Sequence, residues 1–155
     1  MAVFEQIAHS IFAIDKYSRL YLRNELKPHG LNQAEGLVLV SFYCKEAHPE
    51  CAAIQAGKTQ EKLVDELHCD KSVMTRTMQS LEQKGYLVRS GNPGDKRSYL
   101  FSLTQKGRAF EPSLTKLVED WRNKLMEELD DTTLEVISQG LRKMAEKAIE
   151  KSRPL

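Results

Sequence analysis

The sequence predicts a mainly α-helical protein with one small β-hairpin. Apolar side chains recur at intervals of three and four residues over most of the 155-residue chain, which is the period of an amphipathic helix. The exception is residues 86–104, where two runs rich in aromatic and β-branched residues flank the sequence GNPGDKR. A chain of this length accommodates one domain better than two. We therefore expect a single domain over residues 1–155.

The first two helices are predicted over residues 3–26 and from about residue 33 onward. The sequence KPHG ends the first helix, because Pro28 and Gly30 both continue a helix poorly. Asn32 followed by Glu35 three residues later is the pattern of a helix N-cap. The sequence EGLVLVSFY is apolar on nearly every side, so the second helix should be buried.

Two short helices joined by a tight turn are predicted in the centre of the chain. Thr59 and Asp70 are favourable N-cap residues for these helices, and the second helix continues to about Lys84. Only His68 and Cys69 lie between the two helices. Such a pair is a helix-turn-helix, in which the second helix can project from the body of the domain.

The second of these helices has an apolar side and a polar side. The apolar side is formed by Met74, Met78 and Leu81, and the polar side by Ser72, Thr75, Arg76 and Gln79. A helix fits the major groove of B-form DNA, where polar side chains can bind base edges or phosphates and Arg76 can bind a guanine through two hydrogen bonds. The helix start, with Lys71, offers free amides and a positive charge to a phosphate. The alternative is a solvated polar face without a ligand.

Gly85 ends that helix in the left-handed conformation, and a hairpin with a seven-residue tip follows. A helix-turn-helix followed by a hairpin is a winged helix. Lys96 and Arg97 stand at the tip, and Arg97 is our candidate for insertion into the minor groove, where negative potential is concentrated. Asp95 is expected to pair with Arg97 or Arg89 and to shape the tip. Alternatively, Asp95 only starts the turn.

Two further helices are predicted after the hairpin. Thr104 caps the first, which Pro112 interrupts, and the second begins at about Thr132. The apolar stripes of these helices and of the first helix exceed what a DNA-reading unit of ~60 residues could cover, which favours a homodimer. The alternative is that all three helices pack within one chain.

The formal net charge of +1 conceals an uneven distribution. Residues 71–108 carry eight basic and two acidic side chains, so the remainder of the chain is net acidic. This asymmetry is expected of a chain with one face that binds a polyanion such as double-stranded DNA. The alternative is ordinary solvated surface charge.

Several functional classes are not supported by the sequence. The chain has no apolar run of the ~20 residues that a membrane span needs and no signal-peptide pattern at its start, so we expect a cytoplasmic protein without a membrane partner. It has no phosphate-binding glycine loop, HExxH motif or nucleophile elbow, which argues against an enzyme and against a cofactor. A winged helix that binds protein is the main alternative to DNA binding.

The three cysteines form no CxxC pair, so reduced thiols are expected. One of them, Cys51, lies in residues 47–58, which are predicted as a loop with a short strand near residues 53–55. Cys44, His48, Glu50 and Cys51 cluster in sequence, but their spacing fits no established zinc pattern, and we predict no metal site.

Residues 59–107, TQEKLVDELHCDKSVMTRTMQSLEQKGYLVRSGNPGDKRSYLFSLTQKG, resemble the MarR family of winged-helix transcriptional regulators. That family's pattern has a TQ-type helix start, S-x-x-T-R, L-E-x-x-G-[LY]-[VI]-x-R, D-x-R and L-T-x-x-G, and each element is present. The resemblance implies that Ser72, Thr75 and Arg76 contact the major groove and Arg97 the minor groove.

The resemblance also implies a homodimer on a pseudo-palindromic site. Residues 1–30 and 109–155 would then be dimerisation helices and residues 31–108 the DNA-reading lobe. Most members of the family repress transcription until a small molecule or an oxidant intervenes.

The resemblance implies two possible modes of sensing. Aromatic anions often bind where the dimer helices meet the DNA-reading lobe, and Tyr17, Tyr21, His9 and Phe42 are candidates to line such a pocket, although aromatic residues at helical spacing are more often core residues. The redox-sensing branch carries its reactive cysteine in the first helix, and this sequence has none there. Cys69 lies beside a helix N-terminus, which favours thiolate chemistry, and the alternative is an inert thiol.

Overall fold

The computed structural model describes residues 2–43 and 57–152. Its helices and strands, in chain order, are α1 (Ala2–Leu26), a 3-10 helix (Lys27–His29), α2 (Gln33–Tyr43), α3 (Gln60–Leu67), α4 (Lys71–Gln83), β1 (Leu87–Gly91), β2 (Tyr99–Leu103), α5 (Gln105–Met126) and α6 (Asp131–Ser152). The predicted helical fold with one hairpin is confirmed. The predicted strand near residues 53–55 and the cluster Cys44, His48, Glu50 and Cys51 lie outside the described residues.

The chain divides into two compact units, Met1–Glu119 and Asp120–Leu155. The first contains the helix-turn-helix, the hairpin and a shared hydrophobic core. The core is formed by Leu22, Leu26, Leu31, Val38, Leu39, Phe42, Tyr43, Leu63, Met74, Met78, Leu81, Tyr86, Leu87, Phe101 and Leu114. Among the described residues, no helix is long and apolar enough to cross a membrane.

The start of α2 is fixed by a capping box, as the sequence predicts. The Asn32 amide donates to Oε2 of Glu35 at 2.7 Å, and the Glu35 amide donates to Oδ1 of Asn32 at 3.0 Å. Two backbone donors at the helix N-terminus are thus satisfied. Val38, Leu39, Phe42 and Tyr43 of this helix are buried, which confirms the predicted buried helix.

The turn between α3 and α4 is built from local caps. Thr59 accepts a hydrogen bond from the Lys62 amide at 3.2 Å and so caps α3. His68 ends that helix in the left-handed conformation, with φ 47°. Asp70 occupies the N-cap position of α4 with extended backbone angles, but its side chain makes no capping bond to any described residue.

The end of α4 is closed by a Schellman motif around Gly85. This glycine has φ 76°, and its amide donates to the Glu82 carbonyl at 3.0 Å. The Tyr86 amide donates to the Leu81 carbonyl at 2.9 Å. The predicted left-handed stop at Gly85 is confirmed, and the chain passes directly from α4 to the hairpin.

The hairpin is a two-stranded antiparallel sheet. Leu87 pairs with Leu103, and the ladder runs to Gly91 opposite Tyr99. An isolated bridge adds Lys58, whose amide donates to the Phe101 carbonyl at 2.9 Å and whose carbonyl accepts from the Phe101 amide at the same distance. The hairpin is therefore joined to the chain segment that precedes α3.

The start of α5 packs closely against the end of α4. Thr104 caps the helix by accepting from the Gly107 amide at 3.0 Å and donates to the Gly85 carbonyl at 2.6 Å. The Tyr43 hydroxyl donates to the Gly107 carbonyl, and burial raises the pKa of that tyrosine far above its ordinary value. Contrary to our expectation, α5 continues through Pro112, the eighth of its 22 residues, where the proline removes one backbone donor.

Replacing Gly107 with alanine should destabilise the protein by about 1 to 3 kcal/mol. A Cβ at this position would overlap the carbonyl oxygen of Tyr86, and backbone atoms cannot move aside as a flexible side chain could. Urea unfolding followed by circular dichroism measures the change. Ser113→Ala, an exposed substitution in the same helix, is the control and should alter stability by less than about 0.5 kcal/mol. Equal stability of the two variants would contradict the packing argument.

The second unit consists of the end of α5 and helix α6. Asp130 caps α6 by accepting from the Thr133 amide at 2.7 Å, and its hydrogen bonds lower the pKa of the Asp130 carboxyl. Several large apolar side chains of α6 are exposed: Val136, Ile137, Leu141, Met144 and Ile149. The apolar face of α6 is therefore available to a further surface.

Candidate nucleic-acid interface

A groove of about 240 Å³ lies between α4 and the hairpin and brings together predicted residues from both elements. It is lined by Lys71, Thr75 and Gln79 of α4 and by Arg89 and Arg97 of the hairpin, among others. These residues are up to 26 positions apart in the sequence, but the Schellman motif at Gly85 returns the chain alongside α4. The fold therefore brings four of the seven predicted DNA-binding residues to one groove, and the groove is not lined by the other three, Ser72, Arg76 and Lys96.

The hairpin tip consists of two consecutive turns, each begun by a residue with a short polar side chain. The Asn92 side chain accepts from the Gly94 amide at 3.0 Å, and the Asp95 amide donates to the Asn92 carbonyl at 3.2 Å. The Asp95 carboxylate then accepts from the Arg97 amide at 2.9 Å, and the Ser98 amide donates to the Asp95 carbonyl at 3.1 Å. Lys96 and Arg97 are the exposed central residues of the second turn.

The prediction that Asp95 pairs with an arginine side chain is wrong for this structure. Its carboxylate binds the backbone amide of Arg97, so Asp95 shapes the turn in the way that we gave as the alternative. Arg89 instead lies 3.5 Å from a carboxylate oxygen of Glu82 and stacks on the Tyr99 ring, with 4.7 Å from its Cζ to the ring centroid. Arg89 thus connects the base of the hairpin to α4.

The outward side of α4 carries the predicted polar residues. Ser72, Arg76 and Gln79 are exposed. The Nε of Arg76 lies 3.4 Å from the Ser72 carbonyl, a weak contact that leaves the guanidinium on the surface. Thr75 is half-buried and hydrogen-bonded within the protein. The apolar side of the helix is buried as predicted, with Met74, Met78 and Leu81 in the core.

Comparison with known proteins agrees with this geometry. Residues 31–99 match the sequence model of the MarR family. The chain resembles the MarR family over these 69 of its 155 residues. Over 138 residues it is 27% identical to the HTH-type transcriptional regulator BilQ of Clostridioides difficile (strain CD3), covering 89% of this chain and 86% of that protein.

Solved structures of MarR proteins share the fold over nearly the whole chain. A MarR transcriptional regulator from Methanosarcina mazei Go1 has a TM-score of 0.78 and 29% identity, covering 94% of this chain and 98% of that one. A mutant MarR from E. coli, complexed with operator DNA, has a TM-score of 0.72 and 27% identity, covering 90% of this chain and 93% of that one. The protein is therefore a transcriptional regulator similar to those of the MarR family.

Four of the eight basic residues between 71 and 108 make contacts that stabilise this MarR-like fold. Lys84 binds buried Glu35, and Arg89 pairs with Glu82. Lys106 donates to the Lys84 carbonyl at 2.7 Å, and Arg108 donates to the Leu103 carbonyl at 2.6 Å. The remaining four are exposed: Lys71, Arg76, Lys96 and Arg97. The basic excess in the sequence therefore overstates the number of cationic side chains that are free to contact a ligand.

Glu35 is a buried carboxylate at the centre of a polar cluster that sequence reasoning did not identify beyond its capping role. It accepts from Ser80 at 2.6 Å and from Lys84 Nζ at 2.7 and 2.8 Å, and Lys84 also donates to the Gly30 carbonyl. Burial raises the pKa of Glu35, but the hydrogen bonds from Lys84, Ser80 and Asn32 outweigh it and hold the pKa below its ordinary value. This cluster joins the start of α2 to the end of α4 in the MarR fold.

Two further residues of the interface were missed. Gln60, the first residue of α3, lines the groove and binds Thr75, and Asn92 organises the hairpin tip. The sequence offered a signal for Asn92, since N-P-G-D is a turn pattern. For Gln60 the only sequence signal was the TQ start of the MarR motif, and that pattern does not predict a contact between helices.

The predicted effector-binding residues do not share one environment in this MarR-like protein. Phe42 is 1% exposed and belongs to the core, whereas Tyr17 is 53% exposed and His9 is also exposed on α1. Tyr21 is half-buried. Phe42 is buried because α2 is apolar on nearly every side, so it is corrected to a core residue. An effector response stays a prediction of the family resemblance.

Cys69 is half-buried and packs against the core beside Val64, whose carbonyl accepts from the Cys69 amide at 3.3 Å. This placement suits the inert alternative, in which the side chain acts as a small apolar residue. Thiol sensing at Cys69 stays untested.

Proposed function

We propose that this MarR-family regulator binds a pseudo-palindromic double-stranded DNA site as a homodimer and represses transcription from it. The observation that carries the proposal is the groove in which Lys71, Thr75 and Gln79 of α4 lie beside Arg97 of the hairpin. Helix α4 then enters the major groove, while the hairpin tip reaches the adjacent minor groove.

The exposed charges support this orientation. Lys71 and Arg76 stand on α4, and Lys96 and Arg97 stand on the tip, so one protomer presents four cations to a duplex. The Asp95 turn leaves both tip side chains exposed. The likeness to E. coli MarR, a protein solved with operator DNA, supports the same mode of binding.

The exposed apolar residues support a dimer. On α1 the exposed residues include Val3, Phe4, Ile11, Phe12 and Ile14, and Phe12 is 74% exposed. Such a face, with that of α6, is costly in water and fits a second copy of the chain. We propose residues 1–30 and 109–155 as dimerisation helices and residues 31–108 as the DNA-reading lobe. Two-fold symmetry then sets the half-sites about one turn of DNA apart, ~34 Å.

Selection of bound sequences from a random DNA pool at moderate salt tests the proposal directly. Enrichment of a pseudo-palindrome with half-sites one turn apart, with sedimentation showing two protein chains per duplex, is the expected result. Failure of a folded protein to enrich any sequence would contradict the proposal and favour a protein-binding winged helix. In vitro transcription from a promoter that contains the selected site then tests repression.

Affinity for the selected site should fall steeply with salt. The four proposed DNA-contacting cations of each protomer make eight in a dimer. Because each phosphate contact contributes roughly −0.9, the slope of log Kobs against log salt should be no steeper than about −7. Lys71→Ala should make this slope shallower by about 2 per dimer. Lys106→Ala is the matched control, because its ammonium is bound to the Lys84 carbonyl, and it should leave the slope unchanged. Equal slopes for both variants would remove Lys71 from the interface.

A further inference from the structure

Thr75 is held between two helices by a chain of hydrogen bonds. Nε2 of Gln60, at the start of α3, donates to Oγ1 of Thr75 at 2.7 Å. The same Oγ1 donates to the Lys71 carbonyl at 2.8 Å, one turn earlier on α4. A hydroxyl has one proton and two acceptor positions. The proton and one acceptor position of Thr75 are therefore already used within the protein.

This bonding limits what Thr75 can offer to a base. Because its hydroxyl proton is bound to the Lys71 carbonyl, Thr75 cannot donate to the acceptors of guanine, adenine or thymine without breaking a bond. The other substituent on its β-carbon is a methyl group. In the major groove, thymine is distinguished by its C5-methyl group, and a threonine methyl is a suitable apolar contact for it.

We propose that Thr75 recognises a thymine through its methyl group and that Gln60 is the positioning residue that fixes Thr75 for this contact. The proposal rests on the proposed function, since it names the base group read by the same interface. Both residues line the groove between α4 and the hairpin. One thymine in each half-site is then selected by shape and apolar contact.

Gln60 matters because a helical threonine divides its population between two side-chain rotamers. The choice arises because its hydroxyl can bond to a preceding backbone carbonyl. A hydrogen bond from α3 at 2.7 Å favours the rotamer that keeps the hydroxyl toward Gln60. The methyl group is then held in one orientation before DNA binds, which reduces the entropy lost on binding.

Replacement of thymine by deoxyuracil in the selected site tests the proposal, because it removes the C5-methyl group and preserves base pairing. Each thymine is replaced in turn, and affinities are measured by fluorescence anisotropy. For the wild-type protein, replacing the contacted thymine in one half-site should lower the affinity about fourfold. Replacing it in both half-sites should lower the affinity about fifteenfold. If the wild-type protein binds the site with equal affinity after every replacement, the thymine proposal is overturned, whereas the proposed binding of a pseudo-palindromic site is not.

Variants of Thr75 identify the group that reads the base. Thr75→Ser keeps the hydroxyl and lacks the methyl group, so its ratio of thymine to deoxyuracil affinity at that position should approach one. Thr75→Val keeps a methyl group in place and should retain the ratio. The reverse pattern, with Ser retaining and Val losing the ratio, would show that the hydroxyl is the reading group and overturn the proposal.

Variants of Gln60 distinguish positioning from general support. Gln60→Ala should lower the ratio of thymine to deoxyuracil affinity at that position by about half, because Thr75 can then adopt its second rotamer as well. Gln79→Ala, an exposed position on the same side of α4, is the control and should retain the ratio at that position even where total affinity falls. If Gln60→Ala weakens binding to both duplexes equally, with thermal unfolding confirming a folded protein, Gln60 has only a structural role and the positioning claim fails.

Discussion

Glu35→Ala is expected to lower the free energy of unfolding by about 1.5 to 3 kcal/mol, the range for hydrogen bonds to a charged group, because the Lys84 ammonium left behind can reach water. Glu35 is fully buried, while the Lys84 side chain is 36% exposed. The substitution leaves the Ser80 hydroxyl without its acceptor and removes one side of the capping box at Asn32. Chemical unfolding at neutral pH measures the change.

The effect should depend on pH in a defined direction. Because the pKa of Glu35 in the folded protein lies below its unfolded value of about 4.3, its ionised form stabilises the fold above that pH. The contribution is lost as the pH falls from the unfolded value through the lower, folded one. Glu35→Gln, which keeps the shape without the charge, should therefore differ most from the wild type at neutral pH and converge with it in acid.

A matched control is available on α1. Glu25 is exposed, and Glu25→Ala should alter stability by less than about 0.5 kcal/mol at any pH. A double-mutant cycle between Glu35→Gln and Lys84→Met isolates the interaction of the pair. Additive effects in that cycle, with no convergence in acid, would show that the cluster does not stabilise the fold through charge.

Arg76→Ala and Arg97→Ala are expected to produce the largest losses of DNA affinity. A side chain that reads a base or inserts into a groove contributes about 1 to 3 kcal/mol, and a dimer loses the contact twice. Arg76→Ala should also flatten the preference for the selected site over a scrambled one. Arg97→Ala should reduce any preference for A·T-rich flanks, where the minor groove is narrow.

Both arginine variants are compared with Arg108→Ala, which removes the same charge from a side chain bound to the Leu103 carbonyl. Anisotropy titrations with selected and scrambled duplexes give the affinity and the specificity ratio for each variant. The control should lose little of either. Equal losses for all three variants would show that the arginines act only through net charge, and unchanged affinity would remove the tested arginine from the interface.

The local parts of this fold were predictable because their causes lie within a few residues. The caps at Asn32, Thr59 and Thr104 and the stop at Gly85 each depend on side chains or backbone angles close in sequence. The two sides of α4 follow from helical spacing alone. The position of Arg97 in a turn was predictable for the same reason.

The remaining features depend on contacts between distant segments. Lys84 lies 49 positions from Glu35 and was counted in the basic excess of residues 71–108, because no local pattern in the sequence indicates that a buried carboxylate lies beside it. The bond between Gln60 and Thr75 joins two helices whose relative angle is set by packing. Phe42 was assigned to an effector pocket because composition does not distinguish a core aromatic residue from one that lines a cavity.

The two attachments of α4 have a mechanical consequence. Near its start the helix is bound to α3 through Thr75, and just beyond its end it is bound to α2 through Lys84. Because α4 is held near both ends, it should not rotate independently, and it should move only together with α2 and α3. In the proposed homodimer, a signal that weakens DNA binding should then alter the distance between the two α4 helices, and the dependence of affinity on the spacer length between half-sites would report that change.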